Sequence, residues 1–364
     1  MLRTALCDLL GIKHPIIQAG MGPYSTNHLA VAVSNAGALG IISTSGLIMG
    51  TMAQQLTEIV SGGETGTTYD VLKKVLYRVK EATKKSKGIF GINCLVSLEM
   101  TPAAEEIIRG TIDARNEDPD MKERLRVIIT SAGDPVPWAA KIKPSGVKWF
   151  HVVPSVRHAK RCESAGVDGI IASGHEGGYH VSWEPVHTMV LLPAVVNAVK
   201  TPVIGAGGFC DGATIVAALA LGAVGVQMGT RFLATEESDF MQIWKEQILK
   251  SNERDTVVAR GIVGPARYLR NEASRKLTEI TVRKAPGLFL GQPDDLSNVD
   301  PEVLDKEVEG ILATLAGDEK KALMGGGEVA GRIESIPTVG MLIEKTVREA
   351  EEIIRALPRK FIKE

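Results

Sequence analysis

The sequence predicts an α/β fold, a (β/α)8 barrel with a small, mostly helical cap after the eighth strand. Three observations predict it. Eight short β-rich runs recur along the 364 residues, each ending in small or polar residues and followed by a stretch able to form a helix. Several runs are apolar at consecutive positions, as parallel strands covered on both faces require. Their spacing, roughly 20 to 36 residues, suits a strand, a helix and two loops. Eight strands is the number that closes a barrel.

In order the runs are PIIQAGM (15–21), ALGIISTSG (38–46), GIFGINCL (88–95), RVIITSAG (126–133), KWFHVVPS (148–155), DGIIASG (168–174), PVIGAGG (202–208) and AVGVQMG (223–229). Between them LAVAVSNAG, SVRHAKRCESAG and GATIVAALALG read as helices, each closing on a glycine that can take the left-handed C-cap conformation. Residues 51–87 exceed a minimal barrel: they hold the loop SGGETGTT and a basic run, YDVLKKVLYRVKEATKKS, expected to be a helix with a solvated face. The expected division is a barrel over 1–235, a cap over 236–335 with the turn signals VGPAR, KAPG, GQPDD and MGGGE, and a C-terminal segment over 336–364. The amphipathic helix of that last segment is expected to pack back on the barrel.

Composition narrows the class. An apolar fraction of 44%, a charged fraction of 23% and a formal net charge of −1 describe an ordinary globular chain, with nothing global to draw it to nucleic acid or to an anionic membrane. Any anion must be bound locally. Cys7, Cys94, Cys162 and Cys210 are scattered and form no CxxC pair, which fits a reducing compartment. The opening MLRTALCDLLGIKHP lacks the apolar run of a signal peptide, so a cytoplasmic location is expected.

In such a barrel the chemistry sits at the carboxyl ends of the strands. VIGAGGFCDG (203–212) and GVQMGTRF (225–232) end the seventh and eighth runs, where the fold usually binds phosphate. Glycines there let main-chain N–H groups approach an anion, and Asp211-Gly212 can open the next helix. The plainer alternative is that these glycines only make tight turns. The sixth run ends in SGHEGGYH (173–180), which crowds His175, Glu176 and His180 among glycines. His180 is the candidate acid or base, with His175 undecided. No metal is expected, because HxxxxH is not a recognised ligand spacing and flexible loop glycines make a poor cage. In IIQAGMG (16–22), Gln18 could read a polar ring edge, and Gly20 and Met21 could lie beneath a planar ligand.

PIIQAGMG, AVSNAGALGIIS, GINCLV, EGGYH, PVIGAGGFCDG and ALALGAVGVQMGTRFLATEES, in this order, closely resemble the nitronate monooxygenase (2-nitropropane dioxygenase) family, which includes the FMN-type enoyl-acyl-carrier-protein reductases. The resemblance spans roughly residues 3–238 and resumes at MGGGEVAGRI (324–333). It implies a barrel that binds FMN. Carried over by position, Gln18, Ala19, Gly20 and Met21 form the strip beneath the isoalloxazine, with Asn93 beside it and Ser131 lining the same side. Gly207, Gly208, Gln227, Met228, Gly229 and Thr230 resemble the phosphate and ribityl site, and His180 falls on the family's catalytic histidine.

Three departures bear on the substrate. EGGYH stands where the family more commonly has EAGGH or ESGGH, so Tyr179 is expected to narrow or reshape the pocket; Glu328 replaces a usual Gln and would bring a charge near the site; and the insertion at 61–87 is longer than in the reductases. The resemblance implies oxidation of alkyl nitronates with oxygen, with NAD(P)H-dependent reduction of an enoyl thioester or quinone as the alternative. The first is preferred because the SNAGALG and GHEGG regions show no basic patch for an acyl carrier. No GxGxxG follows a strand, so NADH or NADPH would bind only transiently above the flavin. A barrel of the IMP dehydrogenase type would need a loop cysteine nucleophile, and only Cys210 is near a suitable loop. A non-catalytic binding module would keep the phosphate loops without needing His180. The expected partner is a small-molecule substrate; homodimerisation is left open.

Overall fold

The structure is a computed structural model that describes residues 2–49, 54–294 and 299–362. The start of the 51–87 segment and the last residue of GQPDD lie outside the described residues. Helix α1 (Ala5–Leu10) leads into β1 (Ile16–Gln18), α2 (Asn27–Asn35), β2 (Gly40–Ser43), α3 (Ser45–Met49), α4 (Gln54–Ser61), α5 (Thr68–Ala82) and β3 (Phe90–Leu95). Next come α6 (Thr101–Glu117), α7 (Pro119–Arg124), β4 (Leu125–Ser131), α8 (Ala139–Ile142), β5 (Lys148–Val153), α9 (Val156–Ala165) and β6 (Gly169–Ser173). A two-residue strand, β7 (Tyr179–His180), precedes α10 (Thr188–Ala198), β8 (Val203–Ala206), α11 (Gly212–Ala220) and β9 (Gly225–Met228).

Apart from β7 these strands form one parallel sheet in chain order, with β9 beside β1. All eight predicted runs hold a barrel strand. The seam closes where Ile17 bridges Leu39: the Gln18 N–H donates to Leu39 O at 2.9 Å and the Leu39 N–H to Ile16 O at 3.0 Å. Side chains alternate across the closed sheet, so Ile17, Ile41, Val127, Ile129, Phe150, Ile171 and Ile204 fill the interior and share one cluster with Leu6, Cys7 and Leu10 of α1. That helix plugs the amino-terminal mouth. The opposite mouth, at the carboxyl ends, is left for the site.

The predicted helix stops hold in detail. Gly166 caps α9 with φ 79°, while Gly37 and Gly222 follow α2 and α11 with φ 84° and 93°. Asp211 opens α11 with a reciprocal capping box to Thr214. The basic helix α5 is not merely solvated: Lys73 pairs with Glu117, Lys80 with Asp118, and Lys74 and Arg78 with Glu64.

Beyond β9 the chain continues through α12 (Thr230–Leu233), α13 (Gln242–Lys250), β10 (Thr256–Gly261), β11 (Gly264–Leu269), α14 (Glu272–Lys284), α15 (Pro301–Ala316) and α16 (Val339–Phe361). Helices predominate, but VGPAR belongs to a β-hairpin, and β7 pairs with β11 as its third strand. Helix α16 buries Val339, Leu342, Ile343, Val347 and Ala350 in the layer between strands and helices. Gly212 at the start of α11 meets this helix backbone to backbone, 2.4 Å from where a Cβ would strike Ala350 N.

Candidate active site

A cavity of about 390 Å³ lies at the carboxyl rim of the barrel, roofed by the segment that follows β9. Ala19, Gly20 and Met21 from the end of β1, Asn93 from β3 and Ser131 from β4 line one side. Gly207, Gly208, Gln227, Met228, Gly229 and Thr230 line another, and His180 faces the same space. The structure thus gathers every predicted site residue except one. The side chain of Gln18 is fully buried away from the cavity: its Oε1 accepts from the Ile41 N–H at 2.8 Å and its Nε2 donates to Ala19 O. At the barrel seam, where few main-chain bonds join β1 to β2, this amide is used to stitch the strands.

Asn93 is 7% exposed and donates from Nδ2 to Ser131 Oγ at 3.2 Å. Gly207 and Gly208 both have positive φ, 87° and 81°. A Cβ on Gly207 would strike Gly174 O at 2.8 Å, whereas one on Gly208 would meet no protein atom within 4 Å. The first glycine packs the β6 and β8 loops together; the second leaves open space. Among the described lining residues there is no lysine or arginine, so an anion held here is met by main-chain donors.

The loop after β6 is fixed by neighbours remote in sequence. The Glu176 carboxylate accepts from the Thr188 N–H at 2.9 and 3.0 Å, which caps α10. His175 does not line the cavity; its N–H donates to Val186 O at 3.0 Å and its ring meets His187 edge-on at 5.7 Å. Burial, with the Arg267 charge, pushes its pKa down to about 4. MGGGE packs directly on this loop: a Cβ on Gly178 would approach Gly327 N at 2.6 Å, and one on Gly327 would approach Glu176 O at 2.6 Å. Gly327 N–H also donates to Thr230 Oγ1 at 3.0 Å, joining the loop to the end of β9.

His180 sits on β7, opposite Ala266 of β11, so a cap strand carries it over the barrel mouth. Its ring is open to the cavity yet deep in the protein. Desolvation, assisted by the Arg260 charge, lowers its pKa to about 4. The imidazole is therefore neutral near pH 7.

The structure also places two of the departures. Tyr179 lines the cavity; with φ 60°, its ring also lies against Gly325 and its hydroxyl is 3.4 Å from Glu307 Oε1. Glu328 brings no free charge, because Arg267 Nη1 lies 3.1 Å from its Oε1. Arg267 and Glu307 are site neighbours that sequence reasoning missed. A signal for Glu307 existed, since it falls on the buried stripe Val303, Gly310, Ile311 and Thr314 of α15.

Comparison with known proteins gives the same grouping. A (3aS,4S,5R,7aS)-5-hydroxy-7a-methyl-1-oxo-octahydro-1H-indene-4-carboxyl-CoA dehydrogenase of Rhodococcus jostii is 34% identical, over 98% of each chain. A probable nitronate monooxygenase of Staphylococcus saprophyticus is 33% identical, over 76% of this chain and 81% of the relative. The solved structure of FabK from Thermotoga maritima superimposes with a TM-score of 0.79 and 34% identity, over 100% of both chains. With residues 3–349 matching the family described as nitronate monooxygenase, the chain belongs to that family of oxidoreductases.

Proposed function

We propose that this protein is an FMN-dependent oxidoreductase acting at the carbons beside the carbonyl of an acyl thioester. The fit for FMN rests on the rim: a terminal phosphate has room and main-chain donors at Gly207–Gly208 and Gly229–Thr230, and a planar ring has the flat strip Ala19–Met21 with Asn93 and Ser131 beside it. When bound, FMN supplies hydride transfer.

The observation that carries the substrate class is the likeness, over 98% of each chain, to a carboxyl-CoA dehydrogenase, with His180 open to the same cavity. In the dehydrogenating direction His180 would take the Cα proton, and the hydride lost from Cβ would need the acceptor that bound FMN supplies; in the reducing direction His180 would return the proton to Cα. Burial keeps the imidazole lone pair free at neutral pH. The full-length match to a CoA-thioester dehydrogenase supports this reading. Nitronate oxidation is the second reading, supported by the family match over residues 3–349.

Anaerobic mixing of the FMN-loaded protein with saturated acyl-CoA, with enoyl-CoA plus NADH or NADPH, and with an alkyl nitronate separates the readings. Flavin bleaching by acyl-CoA, or reoxidation of reduced flavin by enoyl-CoA, is expected. Bleaching by nitronate alone would transfer the assignment to the second reading.

A further inference from the structure

Tyr179 is a non-glycine residue in the left-handed region, immediately before His180. An isolated chain does not favour that conformation, so it must be imposed from outside. Three contacts impose it. Tyr179 pairs with Arg267 in the cap sheet, and its ring occupies the space that a side chain on residue 325 would need, with Cδ2 only 2.4 Å from the Cβ position of Gly325. Its hydroxyl reaches Glu307 on α15, 128 residues away in the chain.

Glu307 is an unusual anchor. It is 2% exposed, and no ion pair to it occurs among the described residues. Its Oε1 accepts from Tyr268 OH at 2.6 Å and, at longer range, from Tyr179; its Oε2 accepts from the Ile262 N–H. Burying a carboxyl group without a cation is costly, and an apolar residue would fill this helix stripe at less cost. What the carboxyl does that an apolar residue could not is hold two tyrosine rings in fixed directions. One of them, Tyr179, meets the His180 ring edge-on, centroids 4.7 Å apart at 73°.

We infer that Tyr179, braced by Glu307, is a positioning residue that fixes the direction in which the His180 imidazole faces the cavity. The inference rests on His180 facing the substrate, as proposed above. It turns the departure EGGYH into a device: the added ring lines the cavity and supports the histidine from the cap side. Groups that act on His180 include the Tyr179 ring on its own strand and, electrostatically, Arg260 of β10, and the cavity it opens into is also lined by Glu176 and Glu307.

The test follows the His180 ring by NMR in protein with labelled histidine, the resonance being assigned with His180→Ala. Tyr179→Ala removes the ring that packs edge-on against the imidazole and should shift the His180 resonance and its titration midpoint. Tyr179→Phe and Glu307→Gln should each shift and broaden the resonance, and the double variant should do so no more than either alone. Tyr268→Phe, which removes a Glu307 partner but no contact to His180, should leave the midpoint in place. kcat should fall about tenfold in Tyr179→Phe with little change in KM. If Tyr179→Ala and Tyr179→Phe leave the His180 signal and midpoint as in the parent, or if the shifts simply add in the double variant, the brace is refuted. Should Glu307→Gln fail to fold, the two Tyr179 variants decide alone. Turnover unaffected by His180→Ala, with the NMR shifts as expected, would overturn the proposed function but not the brace.

Discussion

Arg267 and Glu328 form a buried-to-surface pair, Nη1 to Oε1 at 3.1 Å, that clamps two distant glycine loops together. The same guanidinium donates to the His175 carbonyl at 2.9 and 3.2 Å and to Thr256 Oγ1 at 2.9 Å, while the Glu328 N–H donates to Glu176 O at 3.0 Å. One charged pair thereby fixes the loop that carries His180 from both sides.

Removing the two partners should therefore have unequal effects. Arg267 is 5% exposed, and Arg267→Ala leaves a carbonyl, a hydroxyl and a carboxylate without their donor, a loss of about 3 kcal/mol. Glu328→Gln keeps an acceptor beside a guanidinium that has other partners, and should cost about 1 kcal/mol or less. Urea unfolding midpoints check the order. Equal losses would show that Arg267 serves Glu328 alone.

Gly208→Asp should expel FMN. The substitution puts a carboxylate beside the proposed phosphate position, in space that is open, at φ 81°. FMN affinity, read by quenching of flavin fluorescence, should weaken by about a hundredfold or more. Gly208→Ala, which adds strain but no charge, should weaken it far less. Parent-like affinity in the Asp variant would move the phosphate elsewhere.

The barrel was readable from sequence because its causes are local. Runs such as GIIAS and VIGA are strands by their own composition, and Gly166, Asp211 and Gly212 punctuate helices within a few residues. The rim was readable for the same reason, since strand ends follow directly from strand positions. Gln18 misled because both a ligand-reading and a strand-stitching amide look alike in IIQAG; only the neighbouring Ile41 N–H distinguishes them. Tyr179, Arg267, Glu307 and Glu328 were not readable as a group. Their contacts with one another cross 61 to 128 residues of chain, and nothing in a single sequence pairs EGGYH with a hairpin and a cap helix.

His180→Ala should leave the flavin spectrum and the fold intact, because the residues proposed to hold FMN lie on other strand ends, while turnover falls by about a hundredfold. His175→Ala is the matched control. Its ring lies outside the cavity, so any effect should act through stability and be small on kcat. Steady-state kinetics on both variants checks this. Loss of turnover in the His175 variant alone would reverse the assignment within SGHEGGYH.

Acid should destabilise the fold before its carboxylates titrate, and His151 on β5 is one cause. The residue is 3% exposed, with Nδ1 2.7 Å from Thr130 Oγ1, and burial lowers its pKa from 6.5 to about 4. The unfolded chain thus binds the proton more readily than the native one. Above pH 6.5 the effect is absent; it grows as the pH falls toward 4 and is complete below that, reaching about 3 kcal/mol. His175, half-buried and also lowered to about 4, adds to the slope in the same window. His151→Asn keeps a polar atom near the Nδ1 position but cannot take up the proton. Between pH 6.5 and 5, above the range of ordinary carboxyl groups, its unfolding free energy should decline less steeply than that of the parent, by close to one proton's worth of slope. Parallel curves for the two proteins would mean that His151 titrates alike in the folded and unfolded chains.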